Sequence, residues 1–329
     1  MRARAWQTLA VVLLLSFGAA RVQSAAASEK KYPTRPITLV SAFPPGGVAD
    51  LTSRIWGKYL EKQLGVPVVP DNKPGGGGVV LTTYLANARP DGYTLGNAAD
   101  FMLTGILMGQ ATYKMEDLRV IAEIARNGCV LVVPTDSPYR TIHDLVSAAK
   151  ANPGIKYAHP GAATIVNLRM LSLNKFANLR MVPLPLKGDM EVLTSVMGKH
   201  VPVGLASAFA AQPQVEAGKL RILFSFDPPA EIGLPPSIPD LDTVFGKDAP
   251  DITVSVYLVA PAKTPPDVIE TLEKAAEKMA KDPEFIAELK KSRMAVRYVD
   301  GKTVMEKRIP WKMQELKTLM KDAGVLDPQ

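Results

Sequence analysis

Residues 36–64, PITLVSAFPPGGVADLTSRIWGKYLEKQL, run from strand through glycine turn to helix. Pro36 to Phe43 carries Ile37, Leu39 and Phe43 in a β-rich run, and Ala49 to Leu64 places Leu51, Ile55, Tyr59, Leu60 and Leu64 at helical spacing. Between them lies Pro44-Pro45-Gly46-Gly47-Val48-Ala49-Asp50. A strand that turns straight into a helix leaves several backbone N–H groups directed at one spot, and the helix dipole adds partial positive charge there. With no side chain on Gly46 or Gly47, an anion can approach closely. The same stretch also reads as a plain turn in which Asp50 serves the helix N-terminus. It lacks the G-x-G-x-x-G spacing and the phosphate-clamping lysine of a nucleotide site.

Outward from this unit, strand and helix keep alternating. Strands are expected at 66–69, 94–98, 119–125, 129–133, 155–158, 181–186, 201–206, 220–226 and 254–260. Helices are expected after the Gly75–Gly78 turn and at 144–150, 163–176, 190–197, 266–281 and 302–322, with Pro310 kinking or splitting the last. Such alternation means an α/β fold with mostly parallel sheets. A second strand–loop–helix element, His159-Pro160-Gly161-Ala162-Ala163-Thr164, repeats the anion-type geometry. Neither loop holds an Arg or Lys, so backbone amides and hydroxyls would hold the ligand. Val130 to Asp136 and Ile252 to Pro266 read as two crossing strands. They divide the chain into a discontinuous first domain, 28–132 with 255–329, and a second domain, 133–254. The cleft between them is the expected small-molecule site.

The 329 residues are 47% hydrophobic and 22% charged, which excludes a disordered chain. One cysteine, Cys129, rules out an intrachain disulfide and a multi-cysteine metal cluster, and three histidines make His-rich metal chemistry a poor fit. No G-x-S-x-G, H-E-x-x-H, C-x-x-C or P-loop motif is present, so neither catalysis nor a cofactor or metal is expected. At the N-terminus, Arg2 and Arg4 precede the apolar run Leu9–Ala20, and Ala25 and Ala27 satisfy the small-x-small cleavage rule. Residues 1–27 therefore read as a signal peptide, the run being too short to span a bilayer. Its removal takes away Arg2, Arg4 and Arg21 and no acid, lowering the formal charge from +7 to +4. Lysines interspersed with acids and an aromatic content of only 6% do not make a nucleic-acid footprint.

Several stretches together resemble the Bug (TctC-type) extracytoplasmic solute receptors of tripartite tricarboxylate transporters. Phe43–Asp50 with Arg54 resembles their first binding loop. Asn72-Lys73-Pro74-Gly75-Gly76-Gly77-Gly78 and Pro90-Asp91-Gly92-Tyr93-Thr94-Leu95 match two further signatures. Tyr157 to Thr164 sits where the family has a serine- and glycine-rich second loop, and Gly218–Arg221 and Ala260–Pro265 match later landmarks. The resemblance covers essentially the whole chain after the signal peptide. It implies a two-domain periplasmic binding protein, a Venus flytrap, that closes on a small organic carboxylate and delivers it to membrane permease subunits.

Carried over by position, Phe43, Pro45, Gly46, Gly47 and Asp50 belong to the first loop, and Gly161, Ala163 and Thr164 to the second. Phe43 also reads as the strand's buried end, and Asp50 as the residue that orders the loop. Thr164 replaces the usual serine and keeps a hydroxyl. His159 stands where a serine is usual, as a donor to the ligand or as loop filling. Leu186 replaces a frequent tyrosine, and Asn97-Ala98-Ala99-Asp100 a small, hydroxyl-rich segment. Asp100 reads either as an N-cap or as a partner for a cationic group on a zwitterionic ligand. The expectation is a periplasmic, monomeric carboxylate receptor without catalysis. The rival readings are a sensing subunit that reports to a membrane-bound kinase and a periplasmic enzyme on the same scaffold.

Overall fold

The computed structural model describes residues 32–161, 164–249, 253–322 and 325–326, so the signal-peptide expectation lies outside the described residues. Contacts divide the chain into Met1–Thr34 and Arg35–Gln329, and every named element belongs to the second unit. β1 (Ile37–Ser41) is buried on both faces, as suits a central strand flanked by helices. α1 (Val48–Leu64) starts directly after Gly47 and stops at Gly65, whose φ of 71° supplies the left-handed cap. β2 (Val68–Asn72), α2 (Val79–Ala86) and β3 (Thr94–Ala99) follow, and β1 pairs in parallel with both strands. α3 (Phe101–Leu107) leads to the long β4 (Leu118–Asn127).

Gly128 alone separates β4 from β5 (Cys129–Pro134), and β5 already belongs to a different sheet. A Cβ at Gly128 would lie 2.6 Å from Ile232 Cδ1 and 2.9 Å from the Arg293 carbonyl oxygen, so only glycine fits this crossing. The second sheet collects β6 (Lys156–His159), β7 (Val182–Pro185), β8 (Val203–Ser207) and β9 (Leu220–Ser225) in the order β7-β6-β8-β5-β9. Its helices are α4 (Ile142–Ala151), α5 (Ile165–Phe176), α6 (Asp189–Met197), α7 (Ala208–Glu216) and the short α8 (Leu241–Phe245). A capping box starts α4, with Thr141 and Asp144 satisfying each other's backbone N–H.

The chain re-enters the first sheet as β10 (Val254–Pro261), then forms α9 (Pro266–Lys281), α10 (Pro283–Lys291) and β11 (Met294–Asp300). The order is β11-β4-β10-β3-β1-β2. β10 lies antiparallel between β3 and β4, with Val254 opposite Asn127. Each sheet thus has a parallel half, built by the strand–helix alternation, and an antiparallel half beside the crossings. The boundary expected at 132/133 falls inside β5, whose hydrogen bonds run to β8 and β9; the change of sheet comes at Gly128. α9 buries Val268, Ile269, Leu272, Ala276 and Met279, each large apolar side chain contributing about 1.5–3 kcal/mol.

The expected break at Pro310 takes a specific form. α11 (Gly301–Thr303) passes through a π-type turn, Val304–Arg308, into α12 (Ile309–Asp322). Widening the turn just before a proline relieves the clash of its ring with the preceding carbonyl. α3, α7, α8, α10 and β11 are additions to the sequence reading.

Candidate functional site

One buried ion pair ties the start of β5, at the first crossing, to the segment that follows β9. Arg169 of α5 gives Nη1 and Nη2 to the carboxylate of Asp227 at 2.9 and 3.1 Å, and Nη2 also reaches the Phe226 carbonyl at 2.9 Å. Asp227 Oδ2 in turn accepts the Cys129 N–H at 2.9 Å. The segments leaving and approaching the second sheet are therefore tied to one helix. Between the two sheets, on the solvent side of this pair, lies a cavity of about 330 Å³. Residues 43–45, 47–49 and 97–101 line it from the first lobe, 164–166 and 187–191 from the second, and 127–129 from the crossing.

Four helices of two turns or more begin on this cavity. Gly47, Val48 and Ala49 open α1; Thr164 and Ile165 open α5; Gly188 and Asp189 open α6; Ser207 caps α7. Each start has N–H groups without an intrahelical acceptor and the positive end of a helix dipole. α1 begins without a side-chain cap, and Gly47 holds an ordinary φ of −85°. Gly46 is the residue with the left-handed φ, 84°.

The expected site residues divide. Phe43, Pro45, Gly47, Asp100 and Thr164 line the cavity, whereas Gly46, Asp50, His159 and Gly161 do not. Ala163 lies outside the described residues. Phe43 meets Phe101 edge to face at 6.0 Å, so it is both a packed strand end and a wall of the cavity. Asp50 turns back on its own loop, accepting the Gly46 N–H at 3.1 Å and Arg54 Nε and Nη2 at 3.0 and 3.2 Å. Burial pushes its carboxyl up, but the bonds from Arg54 and Gly46 and the Arg54 charge outweigh this and bring it below the usual range.

His159 is 1% exposed and gives Nδ1 to the Gly161 carbonyl at 3.1 Å. Burial drives its pKa down to about 4, so the ring is neutral and spent inside the loop rather than a donor to the ligand. The Thr164 hydroxyl donates to the same carbonyl at 2.7 Å and caps Asn167 N–H, which makes it part of the helix start and not an open donor. Asp100 stands at the N-cap position of α3 as expected, but its side chain is used elsewhere. It makes no side-chain cap, and its carboxylate is filled by Tyr257 Oη, Ser255 N–H and Lys312 Nζ, each at 2.7 Å. A cationic ligand group would find that carboxylate already neutralised by Lys312.

Sequence reasoning missed three charged residues that line the cavity, Lys187, Asp189 and Glu191. Lys187 lines it, and no acid lies within ion-pair distance of its ammonium group among the described residues. Asp189 accepts Ser207 Oγ–H at 2.5 Å and Ser207 N–H at 3.2 Å, and Glu191 accepts Lys187 N–H at 2.8 Å. Burial raises the Asp189 carboxyl above the usual range, its bonds from Ser207 opposing the shift. Lys187 was visible one residue from the noted Leu186, but nothing in the spacing showed that the start of α6 faces the cleft. Among the described residues no group of His, Cys, Asp and Glu is placed to hold a metal ion, and no helix is long and apolar enough to cross a membrane.

Two α/β lobes with helix starts converging on the cleft between them have the architecture of the two-domain solute-binding proteins. The chain belongs to the tripartite tricarboxylate transporter family receptors (TctC), whose family model matches residues 53–325. It is 33% identical over 281 residues to the UPF0065 protein in the gbd 5' region of Cupriavidus necator, covering 84% of each chain. Among solved structures it resembles the periplasmic binding protein BugD, with a TM-score of 0.79, 24% identity and coverage of 89% and 99%. It also resembles the R. palustris protein Rpa4515, solved with adipate, with a TM-score of 0.80, 22% identity and coverage of 89% and 98%. The family is one of binding receptors, not enzymes.

Proposed function

We propose that this protein captures a small organic carboxylate in the interdomain cleft and delivers it, as an exported monomer, to the permease subunits of a tripartite tricarboxylate transporter. The observation that carries the reading is the convergence of four helix starts on one cavity, with Lys187 among its lining residues. Oriented amides and dipole ends stabilise an anion without requiring a buried permanent charge to be desolvated. Family membership supports the same reading. The lobes, 35–127 with 254–322 and 129–249, would close on the ligand by bending at Gly128 and at the return into Val254. The pair of Arg169 and Asp227 anchors the start of β5 beside Gly128 during such bending.

The test is mass spectrometry of small molecules released by denaturing freshly purified protein, joined to a thermal-shift screen of organic acids. A bound acid should be released, and its return in hundredfold excess over Kd should stabilise the protein by about 2.7 kcal/mol. Absence of both a released acid and any thermal shift would overturn the reading.

A further inference from the structure

The cavity has strongly uneven chemistry. Between the lobes its walls are mostly apolar, Phe43, Phe101, Ile165, Val254, Val256 and Met294 among them, with Thr52, Asn97 and Asn127 as polar exceptions. The sulfur of Met294 lies 3.3 Å from the Thr52 hydroxyl, whose shorter bond, 2.6 Å, runs to the Val48 carbonyl. Two of the four helix starts are occupied by the chain's own carboxylates. Asp189 sits on the N–H and hydroxyl of Ser207, where α7 begins, and Glu191 sits on the Lys187 N–H, where α6 begins. No cation pairs with either acid among the described residues. Asp100 is cancelled by Lys312, and Asp50 faces Gly46 and Arg54 outside the cavity. The starts of α1 and α5 are left, with Lys187, as places for an incoming negative charge.

Resting on the carboxylate-receptor reading, we infer that the ligand is a monocarboxylate with an apolar body. One carboxylate is met by helix starts and an ammonium group. A second, within the same small cavity, meets Asp189 and Glu191, which repel it, and apolar walls, which cannot hydrogen-bond it. A hydrocarbon body, by contrast, removes those walls from water at a gain. Asp189 thus acts as a specificity residue: it fills an anion position of the cleft from within and so counts carboxylates.

The experiment compares acids that differ only in the second carboxylate, by titration calorimetry on the full mature protein: hexanoate against adipate, and benzoate against terephthalate. At least one monocarboxylate should bind ten times more tightly than its dicarboxylate partner. Equal or tighter binding of the dicarboxylates overturns this inference and leaves the receptor reading standing. Failure of all four acids, together with no released acid, overturns the receptor reading itself. Asp189→Asn can still accept the Ser207 N–H through Oδ1 and meet Ser207 Oγ by donating from Nδ2, and it removes the charge. It should raise adipate affinity about tenfold more than it raises hexanoate affinity. Unchanged discrimination in a folded Asp189→Asn protein would overturn the role given to Asp189.

Discussion

Lys312 Nζ lies 2.7 Å from Asp100 Oδ2, with both side chains at or below 5% exposure. The ammonium group spends its other two N–H bonds on the Thr253 carbonyl at 3.1 Å and Ser255 Oγ at 2.9 Å. Asp100 accepts two further bonds, from Tyr257 and Ser255. The pair is therefore fully satisfied, the condition under which a buried ion pair survives its own desolvation. It also fastens α12 to the segment that re-enters the first sheet, directly behind the cavity.

Lys312→Met should destabilise the protein by about 3–5 kcal/mol, because it leaves Asp100 charged and buried. Asp100→Asn should also destabilise it, through an unpaired Lys312. The double variant should lose less than the two losses added. Urea unfolding of all four proteins measures the coupling, and strict additivity would refute the pairing.

Gly47→Val should abolish ligand binding with the fold intact. The position has an ordinary φ, and a Cβ there meets nothing closer than the Pro44 carbonyl oxygen at 3.5 Å. The expected stability cost is that of a poor helix cap, about 1 kcal/mol. The added side chain stands over the first N–H groups of α1, where the anion must come. Calorimetry reads the loss of binding, and circular dichroism with thermal melting reads the fold. Normal binding would show that the α1 start is only a turn.

Lys187→Met should weaken carboxylate binding by about 1 kcal/mol, roughly fivefold, since the ammonium group is exposed and screened. The wild-type affinity should fall with added salt more steeply than that of the variant. Titrations at two ionic strengths check both statements.

His159 should make stability depend on pH in a definite direction. Its pKa falls from 6.5 when unfolded to about 4 when folded. Between these values the unfolded chain binds more protons, so stability rises with pH there and is lost as pH falls. The full contribution is about 3 kcal/mol. His159→Gln, which can still donate to the Gly161 carbonyl, should flatten the dependence of urea stability on pH in that window.

The parallel half of each sheet was legible because β–α units write alternating periodicities into the sequence. Boundaries such as Pro266–Lys281 followed from Pro265, Pro266 and an unbroken apolar stripe. β11 was not read, although Met294, Val296 and Tyr298 alternate, because it is an edge strand that is half exposed and carries Arg297. α7 hid behind Pro213, which sits inside it. In the site, Phe43, Pro45, Gly47 and Thr164 reach the cavity because their loop position fixes their side. Asp100 lines the cavity with its carboxylate already taken, and His159 and Asp50 lie outside it, because their partners, Lys312, Gly161 and Arg54, were invisible as partners until the chain was folded. Only one of these three partners lies one helical turn away, and that pair, Asp50 with Arg54, was the one whose ordering role could be entertained from sequence.

Asn127 and Val254 stand opposite each other on one rung of the β4–β10 ladder, yet 128–253 lies between them in the chain. The second lobe is thus an insert whose two ends emerge side by side. A two-residue Asn-Gly turn joins such antiparallel partners. Excising 128–253 and splicing in that turn would make β4 and β10 a hairpin, with every strand of the six-stranded sheet retained. The product would be a half-receptor presenting one wall of the cleft to solvent, a natural acceptor for a foreign second lobe.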